Sequence, residues 1–275
     1  MRVIRPVMLK IGIIGCGNIG SQLAKAVVKD FKSKAILVAI SDKDLKNAAR
    51  LSKIIRPKPK IFSIPQLIKK SDLVIEAASA GISANILKQC VKNKKDILIM
   101  SIGGLLARPK LLFAAAKKNV CVYLPSGAIS GIDGIKAASI GKIKKVTLTT
   151  TKPPQGLKGA PYIIKNKIDL DRIKRKTVIF SGPASEAVTA FPANINVSAV
   201  LSLAGIGPKK TIVKIVADPA SKRNIHSIEA QGDFGKISTI TENVPSVANP
   251  KTSQLAVFSA IAMIRQILNS VKIGT

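Results

Sequence analysis

The hydrophobic residues of the chain alternate between short continuous runs and stretches with helical spacing. The run at 9–15 has the length of a buried strand, and after it apolar residues recur every three or four positions, as on one face of a helix. A second apolar run, at 35–40, ends at Ser41-Asp42. The pattern predicts a strand, a glycine turn, a helix and a second strand at the start of the chain.

The same alternation continues to about residue 125. It predicts further strands at 73–77, 96–101 and 120–124, and helices at 82–91 and 109–118. Strands that alternate with helices form a parallel sheet with helices on both faces. The first part of the chain is therefore predicted to be an α/β, Rossmann-type domain with a doubly wound parallel sheet.

Beyond Pro125 the pattern changes, because the predicted strands become longer and alternate between apolar and polar residues. Such alternation is typical of an open, mainly antiparallel sheet with one exposed face, and hence of a second, α+β domain. Its predicted strands lie at 146–152, 211–218, 224–230 and 236–242, and its predicted helices at 132–139, 185–190 and 195–203.

The last predicted element is an amphipathic helix at 252–271, with Asn249-Pro250 before it and Gly274 after it. We expect this helix to return to the first domain. The predicted organisation is a dinucleotide-binding domain at 1–125, completed by the C-terminal segment 250–275, and a catalytic and dimerisation domain at 126–249.

The glycine turn reads Gly15-Cys16-Gly17-Asn18-Ile19-Gly20 and lies between a predicted strand and a predicted helix. In the dinucleotide-binding fingerprint the first glycine permits the tight turn, the second lets the pyrophosphate approach the backbone, and the third lets helix and strand pack closely. The amino terminus of the helix then offers free N–H groups to the phosphates. We expect this segment, including Asn18 and Ile19, to bind the cofactor.

An acidic residue, Asp42, follows the second predicted strand, about 20 residues after Gly20, where the fingerprint requires it. Its carboxylate would hold the adenosine ribose hydroxyls and repel a 2′-phosphate, which favours NAD. Lys43 beside it would soften that preference and admit NADP. The alternative interpretation is an ordinary turn with a surface aspartate.

The chain contains a single histidine, His226, within Asn224-Ile225-His226-Ser227-Ile228. Histidine exchanges protons readily near neutral pH because its unperturbed pKa is ~6.5. A packed, hydrogen-bonded core histidine is the alternative, since apolar residues share its face of the predicted strand. The fingerprint in the same chain favours the catalytic interpretation.

The charge balance is strongly basic, with 45 Lys and Arg against 14 Asp and Glu and a net charge of +31. Such a balance raises nucleic acid as a partner. Nine of the basic residues are arginine and aromatic residues make up 3% of the chain, so groups for forked phosphate recognition and base stacking are scarce. We expect a solvated lysine surface and, at most, weak electrostatic binding of polyanions.

The three cysteines, Cys16, Cys90 and Cys121, have no metal-ligand or redox spacing. We therefore expect reduced thiols, no metal site and a cytoplasmic location. No apolar run reaches the ~18 residues that a membrane-spanning helix needs, so a membrane protein is not expected.

Several segments across nearly the whole chain resemble those of the L-aspartate dehydrogenase family. Besides the fingerprint, these segments are VIEAAS at 74–79, MSIGGL at 100–105, SGAISGIDG at 126–134, FPANINV at 191–197, NIHSIEAQGDFG at 224–235 and NPKTSQLAVFSAI at 249–261. Many members have Gly-Ala-Leu where this chain has Gly103-Gly104-Leu105, a mild departure next to the expected nicotinamide position.

The resemblance implies site residues as well as a fold. The active-site histidine of the family falls on His226. Cofactor contacts outside the fingerprint fall on Ala78 and Ser79 in VIEAAS, on Ala128, and on Asn196, with Asn194 as the alternative. The binding residues for the substrate carboxylates do not follow from the motifs; the lysines nearest to them in sequence are Lys136, Lys152 and Lys222.

The activity that the resemblance implies is reversible, NAD(P)-dependent oxidative deamination of L-aspartate to iminosuccinate by a homodimer. Iminosuccinate hydrolyses to oxaloacetate and ammonia or feeds NAD biosynthesis. One alternative is a related dehydrogenase or reductase acting on another dicarboxylate or a semialdehyde. Another is a non-catalytic NAD-sensing or polyanion-binding protein that has kept the fold.

Overall fold

The computed structural model describes residues 8–106, 108–192, 195–246 and 249–275. In the first part of the chain, helices and strands alternate as predicted. The strands are β1 (Leu9–Ile14), β2 (Ala35–Ser41), β3 (Lys60–Ile61), β4 (Leu73–Glu76), β5 (Asp96–Ile99) and β6 (Val122–Tyr123). The helices are α1 (Asn18–Asp30), α2 (Leu45–Ile54), α3 (Ile64–Lys70), α4 (Ala80–Lys92) and α5 (Lys110–Lys117), and a 3-10 turn covers Ile102–Leu105.

The six strands form one parallel sheet in the order β3-β2-β1-β4-β5-β6. This is the strand order of the Rossmann fold, and it confirms the predicted parallel α/β architecture. The central strand β1 is buried on both faces, through Ile13 on one and Ile14 on the other, as expected for a strand covered by helices on two sides. The strand order reverses between β1 and β4, so the carboxyl ends of these two strands mark the ligand-binding edge.

The second part of the chain contains a five-stranded sheet with helices between its strands. Its strands are β7 (Ile143–Lys152), β8 (Thr177–Pro183), β9 (Ile212–Ala217), β10 (Asn224–Gly232) and β11 (Gly235–Asn243). The helices are α6 (Ile132–Ala138), α7 (Pro161–Lys165), α8 (Ala184–Ala190) and α9 (Ile195–Ala204). A two-stranded ladder follows, β12 (Pro245–Ser246) with β13 (Asn249–Ser253), and then helix α10 (Gln254–Leu268).

The strand order in this sheet is β11-β10-β7-β9-β8, and the pairs are antiparallel apart from β7 with β9. One face is buried and carries Leu148, Ile215 and Ile228. The opposite face is open, with Ile240 71% and Val178 58% exposed. The predicted open and mainly antiparallel sheet is confirmed.

Several elements differ from the sequence prediction. The sequence pattern does not predict helices α2, α3 and α7 or strands β3, β8, β12 and β13. The prediction that Asn249-Pro250 caps the last helix is wrong, because these residues belong to β13. Helix α10 begins after Ser253, whose hydroxyl accepts a hydrogen bond from Leu255 N at 3.2 Å. Helix α10 ends at Leu268, so Gly274 is not its cap; a β-carbon there would overlap the Asp133 carboxylate.

The chain divides into two compact units. The first unit contains the described residues up to Pro125 together with Ala260–Lys272, and the second contains Ser126–Ser259 and Ile273–Thr275. No helix in the described ranges is both long enough and apolar enough to cross a membrane.

Candidate active site

The glycine turn after β1 is folded as the fingerprint requires. Gly15 has φ +99°, and a β-carbon on it would overlap the carbonyl oxygen of Ala77 in the loop after β4. A β-carbon on Gly20 would overlap the carbonyl oxygen of Gly15. Gly15 therefore excludes larger residues through both its backbone conformation and its packing, whereas Gly20 excludes them through packing alone.

Gly17 is exposed, and a β-carbon built on it would meet no atom within 4 Å. It precedes α1, whose amino terminus has no side-chain cap. Open space in front of uncapped N–H groups at a helix start fits the pyrophosphate of a dinucleotide. The half-buried residues Asn18 and Ile19 open the helix at this position.

The carboxylate of Asp42, after β2, holds the glycine turn in place. Its Oδ2 accepts a hydrogen bond from Cys16 N at 2.6 Å, and its Oδ1 accepts one from Asp44 N at 2.8 Å. Burial, and secondarily the Asp42 charge, raises the pKa of the Cys16 thiol to about 12. Cys16 is therefore an unreactive buried thiol, whereas half-buried Asp42 borders the turn where an adenosine ribose is expected.

Ala78 and Ser79 are exposed residues of the loop after β4. The Ala77 carbonyl, immediately before them, lies against Gly15, so this loop and the glycine turn meet where the strand order reverses. The structure thus gathers the predicted cofactor residues of the first unit along one edge of the sheet.

Glu76, the last residue of β4, is a buried carboxylate that the sequence analysis did not single out. Its Oε1 accepts a hydrogen bond from Ala78 N at 2.8 Å and its Oε2 accepts one from Ser101 N at 3.0 Å, so it ties together the loops after β4 and β5. Burial raises the pKa of Glu76, although these hydrogen bonds oppose the rise. The signal available in the sequence was an acid that ends an otherwise apolar strand.

The 3-10 turn after β5 contains Gly104, where the chain departs from the family pattern. A β-carbon on Gly104 would overlap the Ala80 carbonyl oxygen and the Ser83 hydroxyl of α4. The glycine therefore allows the turn to lie directly against the first turn of α4, next to the loop that contains Ala78 and Ser79.

In the second unit, His226 lies in β10 on the buried face of the sheet, with 6% of its surface exposed. It pairs across the sheet with Thr150 of β7, and the Thr150 Oγ1 lies 2.9 Å from the His226 Nδ1. Since this hydrogen bond engages Nδ1, it fixes the orientation of the ring and leaves Nε2 as the other proton-exchanging atom.

Burial, and secondarily the charge of Lys152, lowers the pKa of His226 to about 4. Lys152 ends β7 two residues beyond Thr150, and burial lowers the pKa of its own ammonium group. By contrast, Lys136 and Lys222 are exposed. Of these three lysines near the motifs, the structure brings Lys152 to the histidine.

The loop at 126–131 also lies on the face of the sheet that carries His226. The Thr241 hydroxyl of β11, directly opposite His226, accepts a hydrogen bond from Ser130 N at 3.2 Å. The buried Ala128 is held through its carbonyl, which accepts a hydrogen bond from Asn243 Nδ2 at 3.0 Å. The loop therefore places Ala128 one strand away from the histidine.

The FPANINV segment contains two asparagines. Asn196 is exposed in the first turn of this helix. Asn194 lies outside the described residues.

Comparisons with known proteins cover both units. Residues 133–267 match the family model described as aspartate dehydrogenase, C-terminal, and residues 15–125 match homoserine dehydrogenase, NAD binding domain. L-aspartate dehydrogenase of Methanosarcina acetivorans is 49% identical and that of Methanosarcina mazei 48% identical, each over 98% of this chain and 100% of the relative. An aspartate dehydrogenase structure from Thermotoga maritima is 28% identical with a TM-score of 0.75, over 97% of this chain and 99% of that one.

Proposed function

Because the chain belongs to the aspartate dehydrogenase family, we propose that it catalyses the reversible, NAD(P)-dependent oxidative deamination of L-aspartate. L-aspartate and NAD(P)⁺ give iminosuccinate, NAD(P)H and a proton, and water then converts iminosuccinate to oxaloacetate and ammonia. A role of this product in NAD biosynthesis is part of the proposal and rests on the family resemblance.

The observation that carries the proposal is the arrangement of His226 in the second unit. A buried imidazole, hydrogen-bonded by Thr150 and close to the buried ammonium of Lys152, provides both a proton acceptor and a positive charge. Oxidation of an amino dicarboxylate requires both, because a proton leaves the amino group and the substrate carries negative charge.

His226 is the proposed general acid and base. Its lowered pKa keeps the imidazole neutral at pH 7, the state in which it accepts a proton from the substrate amino group or from the attacking water. In the amination direction the same imidazole returns the proton. Thr150 acts through His226, because its hydroxyl holds the ring in one orientation.

A bound nicotinamide dinucleotide would supply the hydride acceptor for the α-carbon of the substrate. We propose that the glycine turn with Asn18 and Ile19 holds the pyrophosphate of this dinucleotide. The rest of the dinucleotide is proposed to contact Ala78, Ser79, Ala128 and one asparagine, either Asn194 or Asn196. The Asp42 carboxylate supports a preference for NAD, since a 2′-phosphate at this position would face a negative charge.

We also propose a cytoplasmic homodimer in which the second unit supplies both the catalytic residues and the dimer contact. The open face of the five-stranded sheet supports this, because it exposes Ile240 and Val178 on the side opposite His226. Exposed apolar side chains on a sheet face favour association. The free thiols Cys16, Cys90 and Cys121 suit a reducing compartment.

The proposal is tested by following NADH and NADPH oxidation with oxaloacetate plus excess ammonia, with each omitted in turn. Oxidation that requires both substrates is expected, with the larger kcat/KM for NADH. Oxidation with oxaloacetate alone would indicate a hydroxyacid dehydrogenase. No oxidation by a protein that still binds NADH would contradict the proposed activity.

A further inference from the structure

Lys152 lies beside His226 because of the register of the sheet. Thr150 pairs directly with His226, and side chains two positions apart on a strand share a face, so Lys152 projects from the face that carries the histidine. Lys152 as a whole residue is 9% exposed, and Gly156 in the following turn lies against the aliphatic part of its side chain. A lysine is rarely buried to this extent without a charged partner.

No carboxylate within the described ranges forms an ion pair with Lys152. The residue paired with it on β9 is Ala217, and the register places Asn224 opposite it on β10. Asp218, the residue after Ala217, donates its N–H to the Lys152 carbonyl at 2.9 Å, but its carboxylate accepts a hydrogen bond from Ala220 N at 3.0 Å and forms no ion pair with Lys152. Among the residues that the structure describes, the buried charge of Lys152 thus has no ion-pair partner.

An uncompensated buried charge is unfavourable for the folded chain. Burial accordingly lowers the pKa of the Lys152 ammonium, and its charge contributes to the low pKa of His226. An anion bound between the two groups would remove this penalty. The buried charge of Lys152 therefore destabilises the free protein and favours a complex with a carboxylate.

We propose that Lys152 binds a carboxylate of the substrate and thereby holds the substrate beside His226. This inference rests on the proposed function and assigns its anion-binding group, which the motifs left open. The expected ligand is a small dicarboxylate in which a proton-exchanging group, such as an amino group, lies next to one of the two carboxylates. Lys152 directly contacts the substrate, whereas Thr150 only positions the imidazole.

The sole histidine makes the proposal directly measurable. A tag-free protein has one imidazole, so nuclear magnetic resonance of a histidine-labelled sample reports the pKa of His226 without assignment. Succinate, a dicarboxylate without the reacting amino group, serves as the probe. Its carboxylate beside Lys152 offsets the positive charge, so succinate is expected to raise the pKa of His226.

The test variant is Lys152→Met, which keeps the length of the side chain and removes its charge. We expect the pKa of His226 to rise in the free variant, succinate to bind about 10- to 100-fold more weakly, and the KM for aspartate to increase. Lys152→Arg keeps the charge and should retain part of the succinate affinity. Lys145→Met is the matched control, because Lys145 is an exposed lysine of the same strand.

The control separates local binding from the general effect of a basic protein. Equal weakening of succinate binding by Lys145→Met and Lys152→Met would overturn the proposal, and so would a succinate affinity in Lys152→Met within twofold of the wild type. Wild-type protein that binds succinate through Lys152 but does not oxidise aspartate would reject the proposed function and still support this anion site.

Discussion

Helix α1 lies so close to strand β1 that a β-carbon on Gly20 would overlap the carbonyl oxygen of Gly15. The contact joins the first and last glycines of the fingerprint, and it sets the direction in which the helix leaves the turn. Gly17 lies between them in open space. Packing thus constrains the first and last glycines, whereas Gly17 is free of such constraint, and we predict that Gly17 serves ligand binding.

The first prediction compares Gly17→Ala with Gly20→Ala. Gly17→Ala is expected to leave the free energy of unfolding unchanged within about 0.5 kcal/mol, because its β-carbon meets nothing, and to weaken NADH binding at least tenfold. Gly20→Ala is expected to destabilise the protein by about 1–3 kcal/mol through overpacking. Urea unfolding and NADH titration measure the two effects; tight NADH binding by a stable Gly17→Ala protein would contradict the assignment of the pyrophosphate.

The second prediction concerns Glu76, whose carboxylate joins the loops after β4 and β5. Glu76→Gln leaves one oxygen to accept two N–H groups, so either Ala78 N or Ser101 N loses its partner. We expect the free energy of unfolding to fall by about 1–3 kcal/mol and NADH binding to weaken severalfold. Asp72→Asn is the control, since the Asp72 carboxylate is exposed and accepts from Lys10 N at the other end of the strand. Equal effects of both substitutions would show that the loop tie is unimportant.

The third prediction tests the catalytic role of His226. His226→Ala should lower kcat by about 10²–10⁴-fold and leave the NADH dissociation constant within twofold, because the imidazole acts in proton transfer. Thr150→Val removes the hydrogen bond to Nδ1 and should lower kcat about tenfold. Its matched control is Thr149→Val, a threonine on the opposite face of the same strand. Retained turnover in His226→Ala would remove this residue from the mechanism.

The fourth prediction is that the titration of His226 makes the free energy of unfolding depend on pH. The imidazole has a pKa of 6.5 in the unfolded chain, whereas burial lowers the pKa of His226 to about 4 in the folded protein. The free energy of unfolding should therefore fall as the pH decreases from 6.5 to 4, by up to about 3 kcal/mol. Urea unfolding of the wild type and of His226→Asn across this range measures the contribution; the same pH slope in both proteins would contradict it.

The fifth prediction addresses the open face of the second sheet. Ile240→Lys places a charge on this face, in the edge strand β11, and should convert the proposed homodimer to a monomer, as measured by sedimentation velocity. Ile140→Lys is the control, because Ile140 is an equally apolar side chain, 91% exposed, just after α6. A wild-type protein that sediments as a monomer would contradict the proposed interface at once.

The sequence predicts best where one strong pattern acts alone. The run that became β1, followed by glycines and a helical spacing, allowed both the strand and α1 to be located. Helices α2 and α3 were missed because each buries only two apolar side chains, Ala48 and Leu51 in α2 and Leu67 and Ile68 in α3, so their helical spacing is weak in the sequence. Strand β8 lies at the edge of its sheet, and its mixed burial gives no clean alternation.

The residues of the candidate site also fall into those that the sequence identifies and those that it does not. His226 was identifiable because the chain has no second histidine, and Asp42 because its distance from the glycines is fixed by the fold. Lys152 could not be distinguished from the other lysines, since its burial depends on which residue of β7 pairs with His226. Glu76 was missed for a related reason, because its two hydrogen-bond donors come from loops that the sheet brings together.

His226, Thr150 and Lys152 all lie within strands and not in loops. The positions of their side chains therefore depend on how many residues each strand contains. Inserting or deleting one residue in β10 ahead of His226 would turn the imidazole to the open face and bring Ile225 or Ser227 to its place. Evolution can therefore exchange side chains along these strands but cannot change their length one residue at a time. Length variation among related genes should accumulate in connections such as residues 218–223, between β9 and β10, because these two strands do not pair with each other and the connection does not set their register.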